Sequence, residues 1–186
     1  WKDENIADSI TAHAVSFINE NKEKPFFLYF ATNDVHVPRF PHERFRGMTG
    51  MGMRGDAIAQ FDWCVGEIIK TLEENDLLDN TLIIVSSDNG PVLNDGYDDQ
   101  AEELLNGHNP MGGLRGGKYS CYEAGTRVPF IVHYSKEIKE GKISEALVSQ
   151  IDFLEVMANL INISDYKNLS PDGIGKELDT WLGKDK

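Results

Sequence analysis

The segment Thr81-Leu-Ile-Ile-Val-Ser-Ser-Asp-Asn-Gly-Pro91 constrains the fold more than any other part of the chain. Aliphatic and β-branched residues run without alternation from Leu82 to Val85, the pattern of a strand buried on both faces. Gly90-Pro91 then breaks the run. Just before the break stand a carboxylate, Asp88, and a carboxamide, Asn89. Hard oxygen ligands of this kind suit Ca²⁺ or Mg²⁺ better than zinc. Asp-Asn-Gly is also a good turn, so the pair reads either as metal ligands or as a strand-ending turn.

The surrounding elements place this strand in an α/β architecture. Ile6, Ile10, Ala14 and Phe17-Ile18 recur with a helical period across residues 5–21, with Asp3 or Asn5 as candidate caps. Phe26-Phe-Leu-Tyr-Phe30 is a continuous apolar run after Pro25 and is expected to be a buried strand. Ile58, Phe61, Val65, Ile68-Ile69 and Leu72 form one stripe of a helix over about Asp56 to Asn75. Val128 to Tyr134 reads as a third strand, and Ile151, Leu154, Met157-Ala158 and Ile161 as a final amphipathic helix. Strands alternating with helices imply a mostly parallel sheet flanked by helices. Ligands of such sheets gather beyond the carboxyl ends of the strands. Two segments should meet there, Thr32–Pro38 after the first strand and Asp88-Asn89 after the second. The long Gly- and Asn-rich stretch from Gly90 to Gly117 is the kind of loop that carries function.

Composition narrows the partners. With 186 residues the chain can bury one core, and its 40% hydrophobic and 26% charged content is that of a globular protein. A formal net charge of −13 repels nucleic acid and anionic membrane surfaces. No apolar run reaches the roughly 18 residues of a membrane span, and no leader segment is expected in Trp1-Lys-Asp-Glu4. Cys64 and Cys121 are too few for a disulfide framework and too far apart for a zinc motif, and Cys64 reads as a core thiol. Asn162-Ile-Ser and Asn168-Leu-Ser fit the short glycosylation pattern, which also arises by chance.

Against this acidic background the arginines are concentrated. Arg39, Arg44, Arg46, Arg54, Arg115 and Arg127 all lie in or beside the loops that follow the strand ends. They read either as a local oxyanion site or as partners of nearby carboxylates such as Glu43, Asp56 and Glu123. His36, just past a strand end, is placed to protonate a leaving alkoxide. Gly116-Gly117 allows close backbone approach to a ligand, and Lys118 brings a cation to developing negative charge. The spacing is not that of a P-loop. Asp98-Asp99 is expected to be a solvated turn. Within Asn94–Pro110, whose carboxylates, carboxamides and Tyr97 suit sugar rings, His108 is a candidate substrate contact, as is Arg115. A short helix from Gln100 to Leu105 in a solvated loop is the plainer reading of that stretch.

Taken in order, Pro25-Phe-Phe-Leu-Tyr-Phe30, His36-Val-Pro38, Ser87-Asp-Asn-Gly-Pro91, Gly116-Gly-Lys118, Tyr122-Glu-Ala-Gly-Thr-Arg-Val-Pro-Phe130 and Asp172-Gly173 resemble the type I sulfatases, the arylsulfatase-like branch of the alkaline phosphatase superfamily. The resemblance covers almost the whole chain. It implies an alkaline-phosphatase-like α/β core and hydrolysis of a sulfuric ester, on a sulfated carbohydrate or an aryl sulfate. It implies Asp88 and Asn89 as two Ca²⁺ ligands, His36 facing the leaving oxygen, and Lys118 on the sulfate. Asn after Asp88 fits sulfatases better than the zinc phosphatases of the superfamily, which typically carry His there. A periplasmic or secreted location is expected from the family.

The chain also departs from the family pattern. Sulfatases draw a formylglycine nucleophile from a Cys or Ser in a Cys/Ser-x-Pro/Ala-x-Arg setting, and Asp-Trp-Cys64-Val-Gly and Tyr-Ser-Cys121-Tyr-Glu do not match it. The paired aspartates of the family's first strand and its Lys-x-His segment are absent as well. Residues 1–186 are therefore expected to be one partial catalytic domain, inactive alone, weak in calcium binding, and partnered by the remainder of the sulfatase domain. A phosphodiesterase or phosphonate hydrolase of the same superfamily is an alternative, as is a non-catalytic binding protein on a decayed sulfatase fold.

Overall fold

The computed structural model describes residues 2–138 and 141–161. Asn162, Asn168, Asp172-Gly173 and Trp181 lie outside the described residues. The chain divides into two compact units, Trp1–Ile131 and Val132–Lys186, with the boundary inside a strand.

The first unit opens with a 3-10 turn, Asp3–Asn5, that runs into α1, Ile6–Asn21. Asn5 occupies the N-cap position but makes no side-chain cap bond, and Ser9 Oγ donates to its carbonyl instead. α2 spans Gly52–Glu74 and packs against α1. The buried stripe of α1 is Ala7, Thr11, Ala14 and Ile18, one position round from the Ile6–Ile10 face that hydropathy favours. Opposite it, α2 buries Ala57, Gln60, Cys64, Thr71 and Leu72, while Ile58, Phe61, Val65 and Ile68-Ile69 stay half-buried. Small side chains at Ala7, Ala14 and Ala57 allow the two helices to pack closely. Burying Ile18 and Leu72 contributes about 2 kcal/mol each.

Asp56, at the start of the second turn of α2, organises the irregular segment before it. Its carboxylate accepts the backbone N–H groups of Gly47 and Thr49 and the Thr49 hydroxyl, at 2.7, 3.1 and 2.8 Å. Gln60 accepts from His42 N and donates to the buried Asp34, at 2.7 and 2.6 Å. These bonds fix the return of the chain from the His36 region to α2.

β1, Ile83–Ser86, pairs with β2, Phe130–His133, in a two-stranded sheet among the described residues. Between them a single-turn helix, α3, spans Glu123–Thr126. Phe26–Phe30 does not form the expected strand. It runs without a strand or helix assignment, with Phe27 66% and Tyr29 81% exposed. Hydropathy alone reports burial, whereas a strand needs a ladder partner at its side. Phe26 instead meets Phe17 of α1 edge-to-face at 5.8 Å. Gln100–Leu105 is likewise turns rather than a helix, with one helical bond from Leu104 N to Gln100 O and Gln100 at φ +58°. The second unit contributes a 3-10 turn, Gln150–Asp152, with a Ser149–Asp152 capping box, leading into α4, Phe153–Leu160.

Candidate active site

Three backbone segments of the first unit, Gly90-Pro91, Arg115–Lys118 and Ala124-Gly125, meet at the end of β1. Gly90 N donates to Gly125 O at 2.9 Å, and Lys118 N donates to Pro91 O at 2.9 Å. Ala124 N donates to Arg115 O at 3.0 Å. The approach is so close that a Cβ on Gly90 would lie 1.7 Å from Ala124 O, and one on Gly125 would lie 2.3 Å from Ser120 O. Only glycine permits this. The Gly-rich sequence thus attaches Lys118 two residues beyond Asn89.

His36 and Lys118, 82 positions apart, meet directly, with Lys118 Nζ 3.1 Å from His36 Nε2. His36 Nδ1 lies 2.7 Å from the Val37 carbonyl oxygen. A carbonyl only accepts, so Nδ1 carries the hydrogen and Nε2 is left to accept from the ammonium. Lys118 also faces Asp95 at 3.6 Å, and the Tyr119 hydroxyl donates to Asp95 Oδ1 at 2.7 Å. That hydrogen bond is the main reason the Asp95 carboxyl is held below its ordinary value; partial desolvation opposes it and the Lys118 charge reinforces it. The same bond pushes the Tyr119 hydroxyl up.

Asp88 is exposed and Asn89 half-buried. Asn89 donates its amide hydrogens to Gly90 O at 3.0 Å, which leaves its side-chain oxygen as the ligand atom. With Asp88 this supplies the right kind of donor for Ca²⁺ but not the 6–8 oxygens that such an ion takes. Among the described residues no group of three or more His, Cys, Asp or Glu is arranged to hold a metal. The pair fits as part of a calcium shell.

The other sequence candidates lead elsewhere. His108 Nδ1 lies 3.1 Å from Arg54 Nη1 and accepts from it. Burial, then the neighbouring Arg39 charge, push Arg54 below its ordinary value, and Asp99 opposes them. Arg115 stacks on Tyr122 with its guanidinium carbon 3.8 Å from the ring centroid. Four arginines are in ion pairs, Arg39 with Asp99, Arg44 with Asp8, Arg46 with Glu4 and Arg127 with Glu123. Only the last pairing is one that sequence proximity suggested. Asp98 is exposed, but Asp99 is no solvated turn residue. It bonds the buried Arg39 at 2.5 Å and accepts from Ala101 N at 3.2 Å. A partner 60 positions away leaves no local signal. Asn94–Pro110 also borders a cavity of about 310 Å³ that Asn94, Tyr97, Gln100 and Glu102 help to line. Cys64 is a core thiol as expected, pushed up to about 11 chiefly by burial. Sequence reasoning missed Asp95 and Tyr119 as partners of Lys118, and did not pair Arg54 with His108.

The family model for sulfatases matches residues 3–163. The chain belongs to the sulfatase family. It is 57% identical over 185 residues to an N-acetylgalactosamine-6-O-sulfatase of Bacteroides thetaiotaomicron, covering 100% of this chain and 36% of that protein. A steryl-sulfatase of Homo sapiens is 33% identical and matches 84% of this chain and 26% of its own length. A solved structure concerned with the metabolism of multiple glycosaminoglycans by Bacteroides thetaiotaomicron superposes with a TM-score of 0.94 at 56% identity, over 100% of this chain and 38% of the other. A structure of Ps i-CgsB in complex with k-i-k-neocarrahexaose superposes at 0.77 with 30% identity, over 93% and 37%. The chain thus spans 36% of the length of the Bacteroides thetaiotaomicron sulfatase and 26% of that of the human one. Its fold is the alkaline-phosphatase-like α/β sulfatase core, in part. Among the described residues no helix is long and apolar enough to cross a membrane.

Proposed function

We propose that this chain supplies the leaving-group side of a sulfuric-ester hydrolase that acts on a sulfated carbohydrate, with a 6-O-sulfated N-acetylgalactosamine residue as the first substrate to test. The observation that carries the reading is the Lys118–His36 pair at 3.1 Å, tied through Pro91 to the Asp88-Asn89 end of β1. An ammonium and an imidazole so placed can divide a sulfate ester between them. Lys118 Nζ neutralises charge on the non-bridging oxygens. His36 Nε2, which accepts from Lys118 in the neutral ring, delivers a proton to the departing alkoxide when the ring is an imidazolium and the ammonium has turned to the sulfate oxygens, while the Val37 carbonyl fixes the ring through Nδ1. The 57% identity to an N-acetylgalactosamine-6-O-sulfatase supports the substrate class.

Asp88 and Asn89 would hold Ca²⁺ together with ligands from outside the described residues, and the ion, when bound, supplies positive charge to the sulfate oxygens. The nucleophile expected of the family, a formylglycine, has no matching Cys or Ser motif in this chain, so it is assigned to the remainder of the sulfatase domain, this chain's proposed partner. Residues 1–186 are accordingly one part of a catalytic domain working in the periplasm or outside the cell. His108 and Arg115 are proposed sugar contacts on the rim formed by the segment that precedes Lys118.

The test is sulfate release from 6-O-sulfated N-acetylgalactosamine, an aryl sulfate and a phosphate diester by the full-length protein that carries this segment. Turnover of the sugar sulfate, and a loss of about 10²–10³-fold in kcat for Lys118→Ala, are expected. Faster turnover of the phosphate diester would transfer the protein to the phosphodiesterases. No turnover of any ester would leave a binding protein.

A further inference from the structure

Lysine carries its charge on a flexible four-carbon stem, and holding the ammonium in one place works against the rotamer entropy of that stem. A lysine that must meet a sulfate oxygen therefore needs a partner that fixes its head group. We propose that Asp95 is that positioning residue, its carboxylate anchored by the Tyr119 hydroxyl and holding the Lys118 ammonium in line with His36 Nε2. The inference rests on the functional reading above.

Three observations carry it. The two oxygens of Asp95 are divided between two partners, Oδ1 to Tyr119 at 2.7 Å and Oδ2 to Lys118 Nζ at 3.6 Å. The Asp95 and Lys118 side chains are each only 15% exposed, unlike an ordinary surface ion pair. Tyr119 also adopts φ +73°, a left-handed conformation that is unfavourable for a tyrosine. That conformation belongs to the turn closed by Ser120 N on Gly117 O, and the Lys118 ammonium lies 5.2 Å from the Tyr119 ring centroid. Asp95 is set by its own turn, in which Gly96 N donates to Asn94 Oδ1 at 3.2 Å. Two loops that are 23 or more residues apart in sequence are thereby pinned to each other around one ammonium group.

The experiment is a double-mutant cycle in the full-length sulfatase, with the sugar sulfate as substrate. Asp95→Asn is expected to lower kcat about 10-fold, the range typical of groups that orient a catalytic residue, and to leave KM within about 2-fold. Asp95→Glu should recover part of the loss, and Tyr119→Phe should lose a few-fold. In a Lys118→Ala background Asp95→Asn should cost nothing further, because its effect passes through Lys118. The same fractional loss in both backgrounds, or a loss that follows a fall in melting temperature and is not recovered by Asp95→Glu, would overturn the inference and leave the functional reading intact. Should Asp95→Asn not fold, the cycle is run with Tyr119→Phe and the same two outcomes decide. An unmodified protein that releases no sulfate would remove the functional reading and the inference together.

Discussion

The two walls around Lys118 are held by different means. On one side Gly90-Pro91, Gly116–Lys118 and Ala124-Gly125 are joined backbone to backbone, with no room for a Cβ at Gly90 or Gly125. On the other, Asn94–Pro110 is held by side chains reaching from distant parts of the chain, Arg39 to Asp99, Arg54 to His108 and Tyr119 to Asp95. Backbone contacts place the main chain of Lys118 whatever the neighbouring side chains are. Side-chain tethers can be exchanged one at a time without moving the backbone they hold. The first arrangement suits chemistry that every substrate shares, and the second suits a rim that adapts to one sugar.

That contrast can be broken most directly at Gly90. Gly90→Ala places a methyl group 1.7 Å from a backbone oxygen that no side-chain rotation can move. A loss of about 3 kcal/mol in denaturant unfolding is expected, at the upper end of overpacking costs. A midpoint unchanged from the parent would show that the wall yields. On the tethered side, Arg39→Met should cost about 2 kcal/mol. That is below the 3–5 kcal/mol of a fully buried broken pair, because Asp99, 12% exposed, can turn to water. Its effect should be local, with faster amide exchange across residues 94–105 and unchanged protection at Lys118. Loss of protection at Lys118 as well would mean that the two walls are one unit.

The smallest effect should come from Tyr119→Phe, read as the carboxyl titration of Asp95 by NMR. The folded Asp95 carboxyl is depressed below its ordinary value of 3.8, first by the Tyr119 hydrogen bond. A depressed carboxyl contributes stability above its unfolded value and loses it as pH falls through the folded one. Tyr119→Phe should therefore raise the Asp95 pKa and remove part of the acid sensitivity below about pH 4. An unmoved titration would mean that the hydroxyl does not anchor the carboxylate, which would weaken the tethered wall at the point nearest Lys118.

Much of this organisation was legible in the chain. The helix periods placed α1 and α2 to within a few residues, and the aliphatic run located β1, whereas Gly116-Gly117, read as admitting a ligand, sets Gly117 against the backbone of Pro91. Asp88 and Asn89 were expected at a strand end, His36 after a strand that does not form, and Lys118 beside Gly116-Gly117, and the structure brings His36 and Lys118 into direct contact. Local pattern succeeds in such cases because backbone conformation and burial period are properties of adjacent residues. It failed where the partner is remote. Phe26–Phe30 reads as a strand because it is apolar, yet a strand exists only beside another. Asp99 reads as solvated because Asp98-Asp99 is polar, yet Arg39 buries it from 60 positions away. Asp95 and Tyr119 carried no signal, since nothing in either segment encodes the other. The sequence alone determined the helices α1 and α2 and the strand β1, whose patterns lie in adjacent residues. Tertiary structure alone decided which carboxylate meets which cation, because ion pairing depends on distances in space that a linear pattern does not contain.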